Sequence, residues 1–75
     1  MTMFKLKVGD TAVVKSLEIG DKNILSRLND LGFIVNTKFK VLRCLKNNVA
    51  MVILYNGREL ILSKEILLGV EIVYA

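Results

Sequence analysis

Catalysis and metal binding need particular side chains within reach of one another, and this sequence supplies few. It contains no histidine, which removes the commonest general base and the commonest metal ligand. Its single thiol, Cys44, has no second cysteine to bridge, and only Arg43 and Lys46 nearby in sequence would lower its pKa. It reads as a small apolar residue near a strand end, not as a nucleophile. The seven carboxylates, Asp10, Glu18, Asp21, Asp30, Glu59, Glu65 and Glu71, are scattered, and no pair has the spacing of an acid/base dyad. Structural zinc needs about four nitrogen or sulfur ligands, which this sequence lacks, so any metal ion would have to rest on oxygen ligands alone. Gly9, Gly20, Gly32, Gly57 and Gly69 form no phosphate-binding fingerprint. The expectation is therefore no enzyme, with no catalytic, cofactor or metal residues.

One charged run remains. Lys38, Lys40, Arg43 and Lys46 follow one another along a strand-like segment of a chain whose net charge is +4. Such a run usually forms a solvated edge that discourages unwanted strand pairing. The alternative is a nucleic-acid-binding barrel, but single-strand binding wants exposed aromatics among the bases. The five aromatics are Phe4, Phe33, Phe39, Tyr55 and Tyr74, and at least three of them fall at core positions.

The elements that would position these residues are short. The 75 residues point to one domain spanning 1–75. The longest apolar run, residues 49–55, is far below the roughly 20 residues of a membrane-spanning helix. The N-terminal segment lacks a signal-peptide core. These features and the lone cysteine lead to the expectation of a cytoplasmic protein. The hydrophobic fraction of 53% is high for so small a domain, so some apolar surface should meet a partner or a second copy.

Residues 11–18 read as a strand after a Gly9-Asp10 turn. Residues 20–32 read as a helix capped by Asp21, with Ile24, Leu25, Leu28 and Leu31 forming its apolar stripe. Gly32 suits the left-handed position after the helix, and Leu28 and Phe33 are then the pair that touch in a Schellman cap. Strands are expected at 37–44, 49–55, 58–63 and 70–74, with a helical turn capped by Ser63 at 63–69. The set suggests a small barrel. Asn56-Gly57 signals a two-residue type I′ hairpin, which pairs Tyr55 with Arg58, Ile53 with Leu60 and Met51 with Leu62. A three-residue loop at 46–48 pairs Phe39 with Tyr55 and Val41 with Ile53, so that Phe39, Val41, Ile53, Tyr55, Leu60 and Leu62 share the core face. Leu42, Val52 and Ile61 then form a row on the opposite face, with Leu54 beside it between Lys40 and Glu59. An outer face should alternate to polar residues. Either the helix or a terminal segment covers this row, or it is a docking or self-association surface.

The segment Arg27 to Thr37 also carries a resemblance. Arg27-Leu28, then Leu31-Gly32-Phe33, then Thr37 resemble the signature of the ferrous iron transport protein A (FeoA) family. Residues 6–18 are similar to that family's first strand and preceding turn. Asn56-Gly57, Leu60, Leu62 and residues 64–73 are similar to its closing hairpin, helical turn and last strand. The family often has proline and glycine where this chain has Val35 and Asn36. Asparagine tolerates the left-handed conformation, so the turn should survive. The resemblance implies a mainly β, SH3-like five-stranded barrel with one short α-helix and one helical turn. It further implies a cytosolic accessory protein of bacterial ferrous iron uptake, which works by binding the GTP-binding cytosolic region of ferrous iron transport protein B. A related possibility is an isolated domain similar to the SH3-like C-terminal domain of iron-dependent repressors.

Overall fold

The computed structural model describes residues 1–47 and 49–75. A 3-10 turn at Met3–Lys5 leads into β1 (Thr11–Leu17), α1 (Lys22–Asp30), β2 (Lys38–Leu45), β3 (Ala50–Tyr55), β4 (Arg58–Ser63), α2 (Lys64–Gly69) and β5 (Val70–Tyr74). The five strands form one antiparallel sheet in the order β4-β3-β2-β1-β5. This is the expected mainly β fold. The sheet is not closed by β4–β5 pairing; α2 connects the two edge strands and packs against both and against the N-terminal 3-10 turn.

The core is made by alternation. Ala12 and Val14 of β1, Phe39 and Val41 of β2, Met51, Ile53 and Tyr55 of β3, Leu62 of β4, and Val70 and Ile72 of β5 all point inward and are buried. Leu28 of α1, Leu67 of α2, Phe33 and the N-terminal Met3 and Leu6 complete it. Met3 is 0% exposed, a core role that no periodicity signals in a three-residue turn.

The Asn56-Gly57 hairpin has the expected register, with Tyr55 opposite Arg58, Ile53 opposite Leu60 and Met51 opposite Leu62. Its turn residues have φ of 48° and 76°, as type I′ requires. The β2–β3 hairpin differs from expectation. Val41 does face Ile53, but Leu45 faces Ala50, so the connection between paired residues is one longer than the 46–48 loop. The extra residue is absorbed by a β-bulge between Val41 and Arg43, and Leu42 is the inserted position. Because two residues of β2 oppose one of β3 there, the alternation along β2 is reset beyond Leu42, with Arg43 exposed and Cys44 turned towards the core. That is how Phe39 and Val41 keep the predicted core face while Cys44 also packs against the core.

Candidate docking surfaces

The joint between α1 and β2 accounts for the most conspicuous sequence segment. Asp21 caps the start of α1, its Oδ1 accepting from the Asn23 and Ile24 N–H groups at 2.9 and 3.3 Å. At the other end, Phe33 N–H donates to the Leu28 carbonyl at 2.9 Å and Gly32 N–H to the Asn29 carbonyl at 3.0 Å. These are the two bonds of a Schellman cap, and Gly32 has the left-handed φ of 79° that the cap demands. The next free carbonyls are met by side chains. Tyr55 Oη donates to the Leu31 carbonyl at 2.8 Å, and Thr37 Oγ1 donates to the Gly32 carbonyl at 3.2 Å.

Thr37 does a second job. Its Oγ1 also accepts from Ile34 N–H at 3.0 Å, while its backbone N–H donates to the Ile34 carbonyl at 3.0 Å. This closes a turn with Asn36 at φ 77°, so the asparagine does take the left-handed position. Asn36 N–H then donates to the Val14 carbonyl and Val14 N–H to the Thr37 carbonyl, at 2.8 and 3.0 Å, fastening the turn to β1. The segment is thus a structural joint. Because Thr37 is only 9% exposed, Thr37→Val should leave its two partners unsatisfied at a cost of about 1–3 kcal/mol. Urea unfolding should show that loss, with Thr37→Ser close to the parent.

The outer face of β2–β4 is altered from its expected form by the bulge. Val52 pairs with Ile61, but Arg43, not Leu42, stands opposite Val52 on the other side. Val52 is also only 2% exposed although it lies outside the main core cluster. Directly opposed side chains lie close enough to touch, so the longer Arg43 and Ile61 flank it. Val52 is therefore a support for this face and not one of its contact residues. Leu42 is half-buried. Leu54 and Ile61 are 38% and 63% exposed, so neither α1 nor a terminus covers them. Leu54 sits between Lys40 and Glu59 as expected. Arg43 reaches Glu59 at 3.7 Å, with both side chains more than half exposed; such a pair contributes little to stability. Lys38, Lys40 and Lys46 are exposed and make no ion pair among the described residues.

A second apolar surface was not legible in the sequence. A groove of about 580 Å³ runs between α1, the end of β1 and the 34–37 turn. Leu17, Leu25, Ile34 and Val35 line it together with the polar Lys22, Ser26 and Asn29. Leu25, expected in the core stripe of α1, is half-buried at this groove, while Leu28 alone on the helix is fully buried. Among the described residues no group of three or more His, Cys, Asp or Glu side chains is placed to hold a metal ion. Among the described residues no helix is long and apolar enough to cross a membrane.

A five-stranded antiparallel sheet with a helix inserted after β1 defines a small SH3-like domain. The family model described as the FeoA domain matches residues 1–73. The chain belongs to the FeoA family, a family of ferrous iron transport. Among solved structures it is similar to a FeoA protein from Chlorobium tepidum, at 30% identity and a TM-score of 0.90, covering 99% of this chain and 70% of that one. It is also similar to iron(II) transport protein A from Clostridium thermocellum, at 20% identity and a TM-score of 0.87, covering 99% of this chain and 45% of that one. A manganese-dependent transcriptional repressor shares the fold, at 16% identity and a TM-score of 0.91 over 100% of this chain and 36% of the repressor. A comparison with curated proteins found no match.

Proposed function

We propose that this chain is a cytoplasmic, non-enzymatic accessory module of ferrous iron uptake that docks onto the cytosolic GTP-binding region of a ferrous iron transporter. Family membership supports the pathway. The observation that carries docking is the outer face of β2–β4, where Leu54 and Ile61 stand exposed beside half-buried Leu42, over the buried support of Val52. Leu42, Leu54 and Ile61 make the contact, and Lys40 and the Arg43–Glu59 pair form its polar rim.

The test is a titration against the isolated cytosolic domain of the transporter at low and high salt. Apolar docking gives saturable binding that survives high salt. Leu54→Lys, at a position already partly solvated, should weaken it about tenfold, or 1.4 kcal/mol. Absence of binding at both salts overturns the proposal, as does GTP hydrolysis by the chain alone. Binding that collapses steeply with salt would shift the site to Lys38, Lys40 and Lys46 and favour a nucleic-acid module.

A further inference from the structure

The two edges of the open sheet are treated differently. The outer edge of β5 is covered by the chain's own beginning: Ile72 N–H donates to the Met1 carbonyl at 2.8 Å and Thr2 bridges Glu71. The Met1 ammonium also reaches the Glu71 carboxylate at 3.1 Å. Among the described residues no strand lies beside the outer edge of β4. In a two-residue hairpin the closing pair exchanges both backbone hydrogen bonds, and along the ladder such pairs alternate with unbonded ones. Tyr55–Arg58, Ile53–Leu60 and Met51–Leu62 are then the bonded pairs. The alternation continues past the strand, where Lys64 N–H donates to the Val49 carbonyl at 2.8 Å. Glu59 and Ile61 consequently direct their N–H and C=O groups away from β3, with no strand beside them among the described residues. Ser63 does the same with its N–H, while its C=O, at the N-cap of α2, also accepts the first bond of that helix.

A row of outward donors and acceptors is a template for another strand. Edge strands are ordinarily blunted by proline, a bulge or a covering element. The β3–β4 ladder runs from Tyr55–Arg58 to Ala50–Ser63 without a register shift, and the chain contains no proline. The most exposed large hydrophobic residue, Ile61 at 63%, stands mid-edge.

We infer that β4 pairs antiparallel with β4 of a second copy, making one sheet continuous through a two-fold axis at Ile61. The strand suits itself as a partner. The axis sets Ile61 against Ile61 of the second copy, Glu59 against Ser63 and Leu60 against Leu62. Each opposed pair then alternates correctly between outer and core faces. The outer apolar positions Val52 and Ile61 continue directly into their counterparts. The single like-charge opposition, Arg58 with Lys64, falls at the ends of the pairing, where Arg58 Nη1 is turned 3.5 Å from the Leu31 carbonyl. Added salt should thus strengthen the dimer slightly. This pairing uses the backbone groups of the β4 edge, whereas transporter docking uses outer side chains, that of Ile61 among them; self-association is therefore read without the transporter.

The experiment is sedimentation of the full chain from about 10 μM to about 1 mM, the range for a small interface, with amide exchange followed by NMR across the same series. The expected result is a concentration-dependent dimer in which the Ile61 amide exchanges several-fold more slowly as concentration rises. The Leu60 and Leu62 amides, already bonded to β3, change little. Ile61→Pro removes an N–H that the β3 ladder does not use, and should stay monomeric throughout the range. If Ile61→Pro does not fold, Ile61→Lys sets two ammonium groups across the axis and should also remain monomeric. A wild-type chain that is monomeric at about 1 mM overturns the inference. So does a dimer in which exchange at Ile61 is unchanged, or one that survives Ile61→Lys.

Discussion

Phe33→Ala should remove most of the stability of this domain. Phe33 is 0% exposed, and its ring meets Phe39 and Tyr55 with centroids 5.7 Å away in both cases and interplanar angles of 59° and 76°. Tilted and edge-on aromatic pairs add about 0.5–1.5 kcal/mol each beyond area burial. Truncating a buried phenylalanine to alanine costs about 3–5 kcal/mol. The residue also supplies the last N–H of the Schellman cap, so the cavity would open where α1 turns towards β2. Total stability of a domain is only about 5–15 kcal/mol, and a chain this short lies near the lower end. Urea melts should therefore show a loss of at least about 3 kcal/mol for Phe33→Ala, with Phe33→Leu retaining part of it. A loss below about 1 kcal/mol would mean that the aromatic trio is not central to the core.

Gly69→Ala should be the most damaging single-methyl addition. A Cβ on Gly69 would stand 2.8 Å from the Glu18 carbonyl oxygen and 3.1 Å from a side-chain carbon of Ile19. The backbones are held together at this point, because Glu18 N–H donates to the Gly69 carbonyl at 2.6 Å. The closest obstacle is main chain and cannot rotate away, so the methyl must push the end of β1 off the α2–β5 junction or break that bond. Overpacking of this kind costs about 1–3 kcal/mol, and chemical denaturation of the purified variant measures it directly. A stability equal to the parent would show that the junction has slack which the backbone contact denies.

These two residues differ in how far the sequence reveals them. Phe33 is legible because a helix stripe, a glycine and an aromatic follow one another, and local cap chemistry determines what each does. The Asn56-Gly57 register is legible for the same reason. Gly69 is not, because the carbonyl it must avoid lies some fifty residues earlier in the chain and only the folded topology brings the two together. The same limit hides the groove, whose apolar lining comes from β1, α1 and the 34–37 turn. The outer face was half legible. Alternation correctly put Leu54 and Ile61 outside, but alternation assumes an unbroken ladder. The bulge at Leu42 and the flanking of Val52 by longer neighbours are decided by strand geometry that no residue type announces.

The bulge bears on how the chain can change length over evolution. A strand normally tolerates no single insertion or deletion, since losing one residue turns every following side chain to the wrong face. Position 42 is different, because the partner strand carries nothing opposite it. Loss of Leu42 would let Val41–Ile53 run straight into Arg43–Val52 with every core residue still facing inward. Loss of Phe39 or Val41, by contrast, would misplace the core. Among relatives, a one-residue gap in this strand should be tolerated at position 42, while the length of the strand before it is held fixed.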